Sequence, residues 1–106
     1  MTKPEIEIAP DFENRDDQVI TLRECGCTYL AIAKQLGLER ATMARKCYLR
    51  ALKRRSPEEQ HILQQRELQR FDALAAHIAS RADLGEEAID QRLATVDRLR
   101  YELLNG

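Results

Sequence analysis

The fold of this 106-residue chain depends most on residues 22–55, which read LRECGCTYLAIAKQLGLERATMARKCYLRALKRR. Thr28 is a residue type that caps helix N-termini, because its hydroxyl accepts a hydrogen bond from an early backbone N–H. Gly37 is a residue type that ends helices, because glycine adopts the left-handed conformation without steric cost. The residues between these two signals, 29–36, are therefore predicted to form a short helix.

Two further helices are predicted on either side of this segment. Residues 16–25 begin with acids, which are favourable at a helix N-terminus, and are followed by a glycine. A third helix is predicted over 39–54, with an inner stripe at fourfold spacing that consists of Met43, Cys47 and Ala51. Residues 1–15, which contain two prolines and no helical period, are predicted to form a flexible acidic arm.

The second half of the chain opens on Ser56-Pro57-Glu58-Glu59, an S-x-x-E capping box with proline at the first helical position. Helices are predicted over 57–80 and 86–104, and together they form an αα-hairpin within residues 56–106. Two helices alone leave part of their apolar surface uncovered, so self-association through the apolar side chains of the hairpin is predicted. The alternative is that all five helices of one chain pack into a single bundle. The predicted oligomerisation residues are Leu63, Phe71, Leu74, Ile78, Ile89, Leu93, Val96, Leu99 and Leu103.

Composition favours an all-α protein. Charged residues make up 33% of the chain and aromatic residues 5%, and only four glycines and three prolines are available to form turns. No apolar run approaches the roughly 18 residues that cross a bilayer, and the N-terminus lacks the features of a signal peptide. A cytoplasmic protein without a membrane partner is therefore expected.

Charge is distributed unevenly along the chain. Residues 1–17 contain six acids and two bases, residues 18–55 two acids and nine bases, and residues 56–106 ten acids and six bases. The net charge of −1 thus hides a strongly basic middle segment. Such a segment favours nucleic-acid binding, since phosphate attraction depends on local charge, although a solvated basic surface without a partner is the alternative.

The sequence offers little for catalysis or for metal binding. Cys25, Cys27 and Cys47 are an odd number of cysteines without a secretory signal, so reduced thiols are expected. They lack zinc-ligand spacing with His61 and His77, and no nucleophile motif or phosphate-binding glycine loop is present. A protein that is not an enzyme and has no cofactor or metal is expected.

Residues 22–55 resemble the helix-turn-helix of sigma-factor-like, homeodomain-like and phage DNA-binding proteins. The matching positions are those where the two helices touch and turn, namely Ile32, Ala33, Gly37, Leu38, Thr42 and Met43. In that motif the N-terminal half of the second helix enters the major groove. The resemblance implies that residues 16–55 form a DNA-binding headpiece that contacts double-stranded DNA through Arg40, Thr42, Arg45, Lys46, Arg50, Lys53 and Arg54.

The predicted recognition helix departs from the usual motif at its start. Glu39 stands where such proteins commonly have a capping serine or threonine, and its carboxylate would face approaching phosphates. The helix also lacks asparagine and glutamine, the residues that read adenine. DNA binding with weak preference for particular base sequences is therefore predicted.

The order of motifs after the headpiece is similar to that of bacteriophage terminase small subunits. The similarity rests on an E-x-x-R-F-D-x-L helix at 67–74, a short loop, an A-I-x-x-x-L helix at 88–93 and a closing segment at 96–106 that reads VDRLRYELLNG. It implies a DNA-packaging adaptor of a phage, prophage or gene transfer agent, assembled as a ring of about eight to ten copies. In that family the ring presents DNA to a large terminase subunit, which carries the ATPase and nuclease.

Two other functions fit the same sequence. A dimeric transcriptional regulator would use the same headpiece with the hairpin as its dimerisation unit. A protein-interaction module would instead use the basic helix to bind an acidic partner.

Overall fold

The computed structural model describes residues 12–105, and within that range it contains five α-helices and no strand, which confirms the all-α prediction. In chain order the helices are α1 (Phe12–Glu24), α2 (Tyr29–Leu36), α3 (Ala41–Lys53), α4 (Pro57–Ala79) and α5 (Glu86–Asn105). The chain divides into two compact units, and the second begins at Ser56. We call them the first unit, α1 to α3, and the second unit, α4 and α5.

Helix α2 has the predicted bounds because both of its ends are fixed by local interactions. The hydroxyl of Thr28 accepts a hydrogen bond from the backbone N–H of Ala31 at 3.1 Å. Gly37 has a φ of 72°, and the backbone N–H groups of Gly37 and Leu38 donate to the carbonyl of Ala33. These bonds satisfy backbone groups that a helix end otherwise leaves exposed.

Helix α1 begins four residues earlier than predicted. Residues 12–15 form its first turn, so the predicted boundary of the arm at residue 15 is wrong, and the rest of that arm, 1–11, lies outside the described residues. The first turn of α1 reads Phe-Glu-Asn-Arg, which has no apolar period from which a helix start could be located. The helix ends before Gly26, whose φ is 96°.

Helix α3 packs against both α1 and α2 and buries a broad face. Its buried residues are Ala44, Cys47, Tyr48, Ala51 and Leu52, whereas Met43 is 40% exposed, so the predicted inner stripe is wrong at Met43. The reason is geometric: fourfold spacing advances about 40° around a helix at each step, so a stripe drawn at that spacing leaves the buried face at one end. Val19, Ile20, Ile32 and Ala33 complete the core.

The second unit begins with the predicted capping box. Ser56 Oγ accepts a hydrogen bond from the backbone N–H of Glu59 at 3.2 Å, and Glu59 Oε1 accepts one from the backbone N–H of Ser56. Helices α4 and α5 are antiparallel, since Gln64 near the start of α4 donates to the carbonyl of Leu103 near the end of α5. The helices therefore form the predicted hairpin.

Candidate nucleic-acid interface

The solvent side of α3 carries most of the residues predicted to bind DNA. Thr42, Lys46 and Lys53 are exposed and lie along one line of the helix, at spacings of four and seven residues. Arg45 is half-buried beside this line, and Arg40 is exposed immediately before the helix. Arg40 and Lys46 form no ion pair with any residue in the range 12–105. The structure therefore brings these five predicted residues together on one surface.

The N-terminus of α3 has no side-chain cap. Its N-cap residue is Arg40, which makes no capping hydrogen bond, and its first turn contains no acidic residue. The starts of α2 and α4, by contrast, are both capped by side-chain hydroxyls. Glu39, expected at the helix start, precedes the N-cap and is exposed. The backbone N–H groups at this end and the adjacent guanidinium together favour an anion such as a phosphate.

Arg50 and Arg54 have partners that the sequence did not indicate. Arg50 donates through Nε and Nη2 to the two carboxylate oxygens of Asp16, both at 3.0 Å, and Arg54 Nη1 lies 3.4 Å from Asp16 Oδ2. The Asp16 side chain is 1% exposed, whereas that of Arg50 is 53% exposed. This cluster of Asp16, Arg50, Arg54 and neighbouring Cys47, here called the Asp16 cluster, joins α1 to α3.

Electrostatics keep Asp16 ionised. Burial alone would raise the pKa of its carboxyl, but hydrogen bonds from Arg50 and Cys47 and the positive charges of Arg50 and Arg54 outweigh burial and leave the pKa below its usual value. Burial and the neighbouring carboxylate raise the pKa of the Cys47 thiol, so it remains protonated. The charged form of the cluster, two guanidiniums and one carboxylate, is therefore the stable one at neutral pH.

A second ion pair lies beside the Asp16 cluster. Arg55 Nη2 is 3.2 Å from Oδ1 of Asp17, whose side chain is half exposed. Helix α1 thus supplies two carboxylates that pair with three arginines near the end of α3. Arg40 at the start of α3 and Lys46 in its middle, by contrast, have no ion-pair partner among residues 12–105.

The nine residues predicted for oligomerisation lie in the second unit and fall into three groups. Leu74 is 42% exposed, and three are half-buried, namely Ile89, Leu93 and Leu99. The other five are already buried within the single chain: Leu63, Phe71, Ile78, Val96 and Leu103. Those five are hairpin core, and another chain could reach them only if the hairpin opened. The exposed apolar residues that sequence reasoning missed are Ile62, Tyr101 and Leu104.

The E-x-x-R-F pattern of α4 has a structural explanation. Glu67 is fully buried, and its Oε1 lies 2.8 Å from Nη1 of Arg70 one turn along the helix. The adjacent Phe71 is buried in the hairpin. A buried carboxylate needs such a partner, and here Arg70 of the same helix supplies it.

Residues 12–105 contain no group of three or more histidine, cysteine, aspartate or glutamate side chains arranged to hold a metal ion. The three cysteines are free thiols, of which only Cys47 is buried. None of the described helices is both long enough and apolar enough to cross a bilayer.

Comparison with known proteins gave no match: no protein-family model matches the chain, and no significant similarity was found among curated proteins or solved structures.

Proposed function

We propose that this protein is a non-catalytic DNA-binding adaptor of a viral-type DNA-packaging terminase. In this proposal the first unit binds double-stranded DNA, the second unit assembles copies of the chain into a ring, and the ring presents DNA to a large ATPase and nuclease subunit. The observation that carries the proposal is the solvent side of α3, where an uncapped helix N-terminus adjoins the exposed cations Arg40 and Lys46.

The geometry of α2 and α3 supports the helix-turn-helix interpretation of the first unit. Gly37 turns the chain in the left-handed conformation, and Ala33 is buried at 2% exposure in a unit where α2 and α3 pack on each other. A small side chain at this position lets two helices approach closely. Helix α3 is then held with its basic side outward, which is the arrangement that a recognition helix requires.

The residues on this surface favour DNA binding with weak sequence preference. Lys46 and Arg45 can contact either guanine or phosphate, and Thr42 contacts either bases or backbone. Arg40 and the open N–H groups of α3 suit phosphate. Since few positions are suited to read base edges, most of the affinity is expected to come from phosphate contacts and to fall steeply with salt.

Assembly through the second unit would compensate for weak DNA binding by a single first unit. Many modest contacts on one DNA molecule act together when their modules are linked, so a ring binds far more tightly than one copy. The hairpin offers apolar side chains for this purpose that a single chain leaves exposed, namely Ile62, Leu74, Tyr101 and Leu104.

The DNA-binding part is tested by charge reversal on α3. We expect the variant R45E/K46E to bind a labelled mixed-sequence duplex at least about tenfold more weakly than the wild type, because two phosphate or base contacts become repulsive. The control is R98E, which reverses one positive charge on an exposed residue of α5. Full affinity of R45E/K46E would show that α3 is not the DNA-binding surface.

The assembly part is tested by the mass of the purified protein, measured by light scattering and native mass spectrometry at several protein and salt concentrations. A closed species of about eight to ten chains is expected for the packaging adaptor. A stable dimer that prefers a palindromic site, with half-sites about one helical turn apart, would instead indicate a transcriptional regulator.

A further inference from the structure

We propose that Asp16 is a positioning residue that orients Arg50 to bind a DNA phosphate. The proposal rests on the DNA-binding function proposed above and goes beyond it by giving the buried carboxylate of α1 a role in DNA affinity. Asp16 would not contact DNA, since its side chain is 1% exposed. It would act through the guanidinium of Arg50, which is bound on one edge and open on the other.

The hydrogen bonds of Arg50 define which part of the guanidinium is open. Nε donates to Asp16 Oδ2 at 3.0 Å, and Nη2 donates to Asp16 Oδ1 at 3.0 Å and lies 3.3 Å from Cys47 Sγ. Nη1 has no hydrogen-bond partner among residues 12–105, and the side chain as a whole is 53% exposed. Because the guanidinium is planar, fixing two of its nitrogens also fixes the direction of the third.

The position of Arg50 on α3 places it beside the proposed interface. It follows Lys46 by four residues and precedes Lys53 by three, so the three cations lie on one side of the helix at successive turns. In helix-turn-helix complexes the later turns of the recognition helix run alongside the DNA backbone rather than into the base edges. A donor held at this turn is therefore suited to phosphate.

Orientation matters because a free arginine has many rotamers to lose on binding. An arginine that is already held in one geometry loses less conformational freedom when it meets a phosphate, and here it presents the N–H groups of Nη1. The carboxylate that holds Arg50 does not repel DNA strongly, since it is buried and paired with both Arg50 and Arg54. The Asp16 cluster keeps a net charge of +1.

The substitution Asp16→Asn distinguishes two ways in which Asp16 could affect DNA affinity, by orienting Arg50 or by its negative charge alone. Removing a negative charge makes the first unit more positive, so an effect of charge alone predicts tighter DNA binding. If Asp16 instead orients Arg50, its loss should weaken DNA binding. We expect the affinity of full-length D16N for a labelled mixed-sequence duplex to fall about three- to tenfold. The matched control is D17N, which removes the same charge from an exposed carboxylate and is expected to bind as tightly as the wild type or more tightly.

A second variant covers the case in which D16N fails to fold. Arg50→Lys keeps the positive charge but cannot make the paired hydrogen bonds, and we expect it to lose nearly as much affinity as Arg50→Ala. Adding D16N to R50A is expected to lower affinity less than D16N does in the wild type, because Arg50 is the closer of the two guanidinium partners of Asp16. Circular dichroism at the assay temperature establishes that each variant is folded.

The outcomes distinguish this inference from the proposed function. If R45E/K46E abolishes binding while folded D16N or R50K binds as the wild type does, the positioning role is overturned and the DNA-binding function stands. Tighter binding by D16N would also overturn the positioning role. If the wild-type protein shows no salt-sensitive DNA binding, the proposed function itself is wrong, and the positioning role falls with it.

Discussion

At the scale of single residues, Asp16 shows what sequence reasoning could and could not find. It precedes the buried residues Val19 and Ile20 by three and four positions, so the helical period alone places a carboxylate on the apolar face of α1. Such a carboxylate requires a cationic partner. The identity of that partner could not be predicted, because Arg50 is 34 residues away and meets Asp16 only through the packing of α1 on α3.

The Asp16 cluster should make the first unit sensitive to acid. A carboxyl whose pKa is lowered on folding stabilises the protein above its unfolded-state pKa, about 3.9, and this contribution is lost as pH falls through the folded-state pKa. At pH 7 we expect D16N to lower the free energy of unfolding by about 2 kcal/mol, the usual size for hydrogen bonds to a buried charge. The difference between D16N and the wild type should shrink as pH falls below about 4.

The measurement is urea unfolding followed by tyrosine ellipticity, to which Tyr29 and Tyr48 of the first unit contribute through their edge-to-face contact. D17N serves as control, since its exposed pair with Arg55 should contribute less than about 1 kcal/mol. A D16N effect that is equally large at pH 3 and pH 7 would show that the ion pairs are not what stabilises the α1–α3 packing.

Substitution of Gly37 tests how much its left-handed backbone conformation alone contributes to stability. Its φ of 72° lies in the left-handed region, and a Cβ added there would meet no atom within 4 Å, so the cost of alanine is that of the conformation itself. We expect Gly37→Ala to destabilise the first unit by about 1 kcal/mol, measured by thermal unfolding. Gly85→Ala is the control, because that glycine has equal space and no positive φ. Equal effects of the two substitutions would contradict this explanation.

At the scale of helices, local caps explain several of the correct predictions, and the start of α5 at Glu86 was also predicted correctly. The bounds of α2 and the start of α4 were predicted because Thr28, Gly37 and Ser56 make local hydrogen bonds that depend only on neighbouring residues. The starts of α1 and α3 were missed, since α3 has no side-chain cap and the first turn of α1 has no apolar pattern. Met43 was misplaced because fourfold spacing back from Ala51 and Cys47 leaves the buried face of α3 at its first turn.

The capping box of α4 should contribute measurably to the second unit. Ser56→Ala removes the side-chain acceptor for the Glu59 backbone N–H, and we expect a loss of about 1 kcal/mol in the free energy of unfolding. Ser80→Ala is a suitable control, since the Ser80 hydroxyl donates to an exposed carbonyl at the C-terminal end of the same helix. A larger loss for Ser80→Ala than for Ser56→Ala would show that the predicted start signal is not what fixes α4.

At the scale of the whole molecule, the two units separate two proposed tasks. The first unit contains the basic helix α3 with its Asp16 cluster, and the second is an acidic hairpin with its own core. Because the hairpin buries Val96 to 2% exposure, a charged residue at this position would disrupt the hairpin itself. Variants that test assembly must therefore change exposed apolar residues and leave the core intact.

Leu74 is the residue best suited to that test. It follows buried Phe71 by three residues and precedes buried Ile78 by four, so it continues the apolar stripe of α4, yet it remains 42% exposed. We expect Leu74→Asp to reduce the mass of the assembled species while the helical content of the protein stays unchanged, because an exposed site tolerates a charge that a contact between copies does not. Ala73→Asp, which adds the same charge at the preceding exposed position, should leave the assembly intact. If Leu74→Asp keeps the wild-type mass at every concentration, this side of α4 lies outside the contact between copies, and the exposed residues at the other end of the hairpin, Ile62, Tyr101 and Leu104, are the ones to change next.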